Sequence, residues 1–231
     1  MYLCGLQKLA MVDYPGKLAA TVFTGGCNLR CPFCHNALLV TRLDETPKLS
    51  EQEILNFLAS RKKLLDGVVL SGGEPLMQPD AAVFLKKVRD MGFAVKLDTN
   101  GCYPEALADI LERGLVDYVA MDIKNCREKY ALTVGRSSFD IAPVEESVRL
   151  LRASGVTYEF RTTLVQELHT ADDIRAIGQW LRGAPRYYLQ QFVDSGNLIS
   201  EGCHGFTPSE MREFAAVAAP FFDEVSLRGV A

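Results

Sequence analysis

Three cysteines stand within eight residues in Cys27-Asn28-Leu29-Arg30-Cys31-Pro32-Phe33-Cys34, a CxxxCxxC spacing. Thiolate is a soft ligand that suits an iron–sulfur cluster, zinc or Cu(I). A [4Fe–4S] cluster held wholly by protein takes four cysteines. This loop offers three, and no fourth lies nearby. Three ligands on four irons leave one iron open to a further ligand, much as a catalytic zinc keeps a position that a structural zinc closes. The competing reading is a zinc knuckle with His35 as fourth ligand. A histidine directly after a ligating cysteine is poorly placed to turn back on the same metal.

Further polar groups punctuate the chain. In Ser71-Gly72-Gly73-Glu74-Pro75 the two glycines permit positive φ and close backbone approach to a ligand, and the proline stiffens the exit. Glu74 is then placed to accept hydrogen bonds from an ammonium group. Leu97-Asp98-Thr99-Asn100-Gly101, Met121-Asp122-Ile123-Lys124, Arg161 with Thr162 and Thr163, and Gln190-Gln191-Phe192 follow. Singly, each has an ordinary explanation as a turn cap or a solvated charge.

The elements that carry these groups recur as an apolar run followed by a helical pattern. Strands are expected over 18–24, 67–71, 93–97, 116–123, 157–165 and 186–192, with a short one over 224–227. Helices are expected after Ser50, after Asp80, over 104–113 and 143–154, after Thr170, and after Thr207-Pro208-Ser209-Glu210, several announced by capping boxes. Asn125 to Ala142 reads as less regular. Strand–helix alternation implies a parallel sheet with right-handed crossovers. At 231 residues the chain falls short of the roughly 250 that a closed eight-unit barrel takes. The expected fold is α/β, a partial (β/α)6 TIM-type barrel forming an open arc of parallel strands. One domain is expected, with its core over about 18–192 and a C-terminal helix and strand over 207–227. The rival doubly wound sheet lacks its glycine signature, since Gly25-Gly26-Cys27 is not GxGxxG. Every polar motif lies in or just after a strand, which places all of them at the C-terminal mouth of the sheet, where such folds build active sites.

Bulk properties narrow the class. Hydrophobic residues make up 48% and charged residues 23%, and the net charge is −4, so no basic field points to nucleic acid or an anionic membrane. No apolar run approaches the roughly 18 residues of a spanning helix. The N-terminus lacks a signal-peptide pattern, and a cytoplasmic location is expected. Thiols there stay reduced, so clustered cysteines suggest metal or redox chemistry. Cys4, Cys102, Cys126 and Cys203 are scattered and read as buried or half-buried thiols.

CxxxCxxC with an aromatic residue before its last cysteine, followed one βα unit later by GGE, resembles the radical S-adenosylmethionine (SAM) superfamily. Asp13-Tyr14-Pro15-Gly16, DTNG at 98–101 and MDIK at 121–124 look like its glycyl-radical-enzyme activase branch. GLQKLAMVDYPGK and CNLRCPFCHN resemble the activating proteins of anaerobic ribonucleoside-triphosphate reductases, which are related to pyruvate formate-lyase activating enzymes. The likeness runs from about Leu6 to Phe192.

The resemblance implies that Cys27, Cys31 and Cys34 ligate three irons while the amine and carboxylate of SAM chelate the fourth. Phe33 would pack near the adenine. Gly72, Gly73 and Glu74 would meet the methionine amino group, and Arg161 would face its carboxylate or the ribose. Asp98, Thr99, Asp122 and Lys124 would line the SAM and substrate side, with a monovalent cation between the two aspartates. Gln191 stands at the adenosine position, where some relatives carry histidine. Asp13 would sit near the incoming substrate loop.

The implied reaction starts with an electron from reduced flavodoxin or ferredoxin. It continues with cleavage of SAM to methionine and a 5′-deoxyadenosyl radical, which removes hydrogen from a glycine of a partner enzyme. The cofactor carries the hard chemistry, which suits a chain with no Ser/His/Asp or paired-carboxylate arrangement. Some activases of this branch carry an inserted ferredoxin-like domain. Only 26 residues precede the motif and 36–50 is cysteine-free, so a minimal activase with one cluster is expected. Two alternatives stay open: a radical SAM enzyme acting on a small molecule, and a non-catalytic Fe–S or zinc module.

Overall fold

The computed structural model describes residues 1–194 and 196–230. Strands β1 (Leu3–Ala10) and β2 (Ala19–Thr24) are followed by helices α1 (Ala37–Thr41) and α2 (Glu51–Arg61). Alternation follows with β3 (Gly67–Gly72), α3 (Ala81–Asp90), β4 (Ala94–Thr99), α4 (Pro104–Glu112) and β5 (Tyr118–Asp122). After α5 (Tyr130–Thr133) and α6 (Ala142–Ala153) come β6 (Thr157–Leu164), α7 (Ala171–Trp180), β7 (Arg186–Gln191), α8 (Pro208–Ala218) and β8 (Glu224–Arg228). Strand order follows chain order from β1 to β8. The fold is the expected open parallel α/β arrangement rather than a closed barrel.

By their contacts the residues fall into two units. The first comprises Met1–Asn28, Leu38–Ala120 and Pro143–Thr157. Here β2 runs parallel to β3 from Ala19↔Gly67 to Thr24↔Gly72, and β3 parallel to β4 from Gly67↔Ala94 to Leu70↔Leu97. Val68, Val69 and Leu70 are consecutive and fully buried, as a strand covered on both faces requires. Ile54 and Leu58 of α2, Phe84, Leu85 and Val88 of α3, and Leu107 and Ile110 of α4 supply the helical side of this core. The repeat at i, i+3 and i+4 sets one stripe of each helix inward.

The second unit comprises Leu29–Ala37, Met121–Ala142 and Tyr158–Ala231. Within it β6, β7 and β8 pair in parallel. The alternation of β6 puts Tyr158, Phe160, Thr162 and Leu164 on one face and Glu159, Arg161 and Thr163 on the other. Ile174 and Ile177 of α7 and Met211 of α8 are fully buried.

Local signals explain the boundaries. Ser50 with Glu53, Thr170 with Asp173, and Thr207 with Glu210 form complete capping boxes at α2, α7 and α8. Asp80 precedes α3 but makes no side-chain cap; it binds the N-terminal ammonium of Met1 instead. The irregular stretch expected over 125–142 contains α5.

The sequence pattern missed the short helix α1 and the strand β1, whose burial pattern BBiieeeB lacks a two-residue alternation. β1 forms by antiparallel pairing with β2, from Leu3↔Thr24 to Ala10↔Ala19, across two register irregularities. The β1–β2 connection lies at the N-terminal end of β2, and there Asp13 Oδ2 accepts from Thr21 Oγ1 at 2.5 Å. Asp13 therefore stands at the end of the strand opposite Cys27. Tyr14 beside it is buried against Tyr118, with ring centroids 6.0 Å apart.

Candidate active site

In the first unit, the turns leaving β2 and β3 are laced by main-chain hydrogen bonds. Gly73 N–H donates to Thr24 O at 2.9 Å, and Glu74 N–H to Gly26 O at 2.8 Å. Side chains have no room in this contact. A Cβ on Gly73 would stand 2.0 Å from Gly26 O, and one on Gly72, at φ +121°, 2.4 Å from Thr24 N and O. The close approach that the glycines were expected to offer a ligand is made to the turn before Cys27, and it fixes that cysteine's backbone.

Glu74 is fully buried and its carboxylate is densely bonded. Oε1 accepts from Leu76 N–H at 3.0 Å and Thr99 Oγ1 at 2.8 Å, and Oε2 accepts from Asn100 N–H at 2.7 Å. The carboxylate expected to receive an ammonium thus braces the exits of β3 and β4. Thr99 Oγ1 also accepts from Gly101 N–H at 3.1 Å. Beyond it, Asn100 Nδ2 donates to Asn28 Oδ1 at 2.9 Å and lies 3.7 Å from Cys27 Sγ. Asp98 Oδ2 accepts from Ser71 Oγ at 3.1 Å, while Lys96, with a side chain only 1% exposed, is ion-paired with Asp98 Oδ1.

In the second unit, the exits of β5 and β6 carry a charged cluster. Asp122 Oδ1 accepts from Arg161 Nε at 2.9 Å, and Oδ2 from Lys124 Nζ at 3.0 Å. Burial alone would raise the Asp122 pKa, but Arg161 and Lys124 outweigh it and hold the carboxyl down at about 2. Burial pulls the Lys124 ammonium the other way; Asp122, and after it the neighbouring Cys31, more than offset this and shift Lys124 upward. Burial raises the Cys34 thiol, and Lys124 opposes that rise most strongly. Lys124 is therefore a fixed positive charge beside two of the three clustered cysteines. Cys34 N–H closes a turn onto Cys31 O at 3.1 Å. Arg30 N–H donates to Val134 O at 2.9 Å, and Ser200 N–H to Pro32 O at 3.0 Å, anchoring the loop on both sides.

His169 holds this arrangement from behind. It is 2% exposed; its Nδ1 accepts from Val165 N–H at 3.1 Å, which leaves Nε2 as the donor to Lys124 O at 2.8 Å. Its ring meets that of Phe33 edge-on, centroids 6.5 Å apart, and burial lowers its pKa. Gln191 Nε2 donates to Phe206 O at 2.7 Å, so its amide secures the segment before α8.

Gly72, Gly73, Glu74 and Thr99 thus meet around the turn that carries Cys27, and Asp122, Lys124 and Arg161 form one ion-paired group. Asn28, Asn100, Lys96 and His169 were not singled out from the sequence as site residues. For Asn100 a signal existed, its place in the DTNG turn; an isolated Lys96 within an apolar strand or a lone His169 offers none.

The donor set fits a thiolate-ligated cluster. All seven cysteines are free thiols; an amide donor lies beside Cys27, and the Lys124 ammonium beside Cys31 and Cys34 partly offsets the burial that raises the Cys34 thiol. Among the described residues, no three His, Cys, Asp or Glu side chains are already gathered as a metal-binding group.

Comparison with known proteins supplies the relationship. The model of the Radical SAM superfamily matches residues 21–181. A Methanocaldococcus jannaschii protein named as a glycyl-radical enzyme activating enzyme is 33% identical over 98% of this chain and 95% of its own. The pyruvate formate-lyase-activating enzyme of Clostridium pasteurianum is 32% identical over 58% of each chain. Among solved structures, Streptococcus suis SuiB bound to S-adenosylmethionine superposes with a TM-score of 0.67 at 14% identity, over 88% of this chain and 48% of that one. The chain thus spans about half the length of that structural neighbour, whose likeness speaks for the fold alone. The chain belongs to the radical SAM superfamily and is a homologue of its glycyl-radical-enzyme activating enzymes.

Proposed function

We propose that this protein activates a glycyl radical enzyme, either an anaerobic ribonucleotide reductase or another member of that class. The observation that carries the reading is the near full-length likeness to a protein named for that activity. Cys27, Cys31 and Cys34 would hold a [4Fe–4S] cluster in this reading. With SAM bound it would supply reductive S–C5′ cleavage and a radical able to take hydrogen from a glycine of the partner.

The chain's own residues position and shield. Gly72 and Gly73 hold the turn against which the methionine amino group lies, and Glu74 acts by bracing that turn. Arg161, fixed by Asp122, faces the SAM carboxylate or ribose. Lys124 supplies positive charge beside Cys31 and Cys34, which favours binding of the anionic cluster. Phe33 packs towards the adenine, Asp98 and Thr99 line the SAM side, and Gln191 secures the segment beside the adenosine. A monovalent cation belongs to the same reading; Asp98 is already paired with Lys96, and Asp122 with Arg161 and Lys124.

Reduced flavodoxin or ferredoxin donates the electron, and the work is done in the cytoplasm. Separately, no helix among the described residues is long and apolar enough to cross a membrane. The chain acts as a single radical SAM domain with its core over about 18–192, a reading supported by a family match that runs through both units. To test the activity, the reduced, cluster-loaded protein is incubated with SAM and each candidate partner, and the EPR spectrum is recorded. A glycyl doublet on one partner is expected. Its absence with every partner, while SAM is still cleaved, would favour a small-molecule substrate.

A further inference from the structure

Asn100 leaves β4 with 5% of its surface exposed, and its carboxamide is fixed from several directions. Oδ1 accepts from Cys102 N–H at 2.9 Å. A main-chain N–H can only donate, so this contact settles which end of the amide is oxygen and turns the NH2 group the other way. That group donates to Asn28 Oδ1 at 2.9 Å and approaches Cys27 Sγ at 3.7 Å. Two hydrogens serve the two acceptors. The main-chain N–H of Asn100 is tied to the buried carboxylate of Glu74 at 2.7 Å, so backbone and side chain are both anchored.

We propose that Asn100 is a positioning residue that raises the reduction potential of the cluster by donating an N–H···S hydrogen bond to Cys27. The inference rests on the functional reading above, in which Cys27 is a cluster ligand. One-electron reduction adds negative charge to the cluster and its sulfurs. A donor held on a ligating sulfur stabilises the reduced form more than the oxidised form, and hydrogen bonds to sulfur are among the levers that set such potentials. The donor here is neutral and anchored within a turn, so its effect persists at high salt, where exposed charges are screened.

A purely structural role for Asn100 is also visible, since its Oδ1 shapes the turn at Cys102. Two substitutions separate the roles. Asn100→Asp keeps an oxygen for Cys102 N–H but replaces the donor facing Cys27 with a carboxylate oxygen, and Asn100→Ala removes both groups. Ser147→Ala is the control, because Ser147 Oγ donates to Gly101 O at 2.7 Å and steadies the same turn without touching Cys27.

Each protein is loaded anaerobically with iron and sulfide and poised at a series of potentials with dithionite and mediators. The EPR signal of the reduced cluster is then measured without SAM. For Asn100→Asp, the ratio of reduced to oxidised cluster at a fixed potential is expected to fall tenfold or more, 59 mV for a one-electron couple. Asn100→Ala shifts the same way by less. Ser147→Ala lowers the melting temperature and keeps the wild-type midpoint. Wild-type midpoints in both Asn100 variants, or in whichever folds, would overturn the inference while leaving the functional reading intact. A wild-type protein that takes up no cluster would overturn both.

Discussion

Around Cys27 the fixing groups are neutral: main-chain amides, the hydroxyl of Thr99 and the carboxamides of Asn28 and Asn100, all organised by the one buried carboxylate of Glu74. The loop of Cys31 and Cys34 is also held by main-chain bonds, but a charged group is added, with Lys124 and Arg161 sharing Asp122. The two regions solve different problems. Neutral, saturated bonding fixes geometry with little dependence on pH or salt. The charged cluster supplies a field at the thiols, and it carries the desolvation cost of half-buried ions, so breaking it by removing one partner exposes that cost.

The largest effect comes from the cysteines that both regions serve. Replacing Cys27, Cys31 or Cys34 by alanine is expected to abolish cluster uptake and SAM cleavage, measured by iron content and 5′-deoxyadenosine release, while the apo chain stays folded. A variant of any one of the three that still takes up the cluster and cleaves SAM would break the comparison at its root.

Next is Glu74→Ala, which strands three donors in a buried site. At roughly 1–3 kcal/mol for each unsatisfied group, a loss of about 3 kcal/mol or more is expected by denaturant titration of the apo protein. That loss should be nearly unchanged between low and high salt. Asp122→Asn, which leaves Arg161 and Lys124 without their carboxylate, is expected to cost about 2–4 kcal/mol. Its salt dependence should be the larger of the two.

The pH dependence separates the regions further. The folded pKa of Asp122 lies near 2, below its unfolded value of 3.8. Its contribution to stability is therefore fully present above the unfolded value and is lost as pH falls towards the folded one. A loss of about 2 kcal/mol over that window is expected for the wild type, and Asp122→Asn should flatten it. The smallest effect lies outside both regions. Thr207→Ala removes the α8 cap and should cost about 1 kcal/mol in thermal melting while leaving SAM cleavage at the wild-type rate.

Much of this architecture is legible in the residues. The caps at Ser50, Thr170 and Thr207 and the apolar run at 67–71 act locally, so the residues mark the starts of α2, α7 and α8 and nearly the whole of β3. β1 is different: its residues lack alternation, and its pairing with β2 is a long-range contact with irregular register. The position of Asp13 depends on that pairing and could not be read without it. Glu74 shows the limit at the site. Its place after two glycines was visible, but its three donors come from 76, 99 and 100, and only folding brings the last two to it. His169 and Lys96 were hidden for the same reason, since each is defined by partners on other segments or by burial rather than by a motif.

The most direct test of the central claim is to load the protein with iron and sulfide, reduce it anaerobically, add SAM and quantify the products. The account predicts 5′-deoxyadenosine and methionine in equal amounts, with neither formed by the Cys27→Ala variant. A protein that retains zinc, takes up no iron and releases neither product would contradict it.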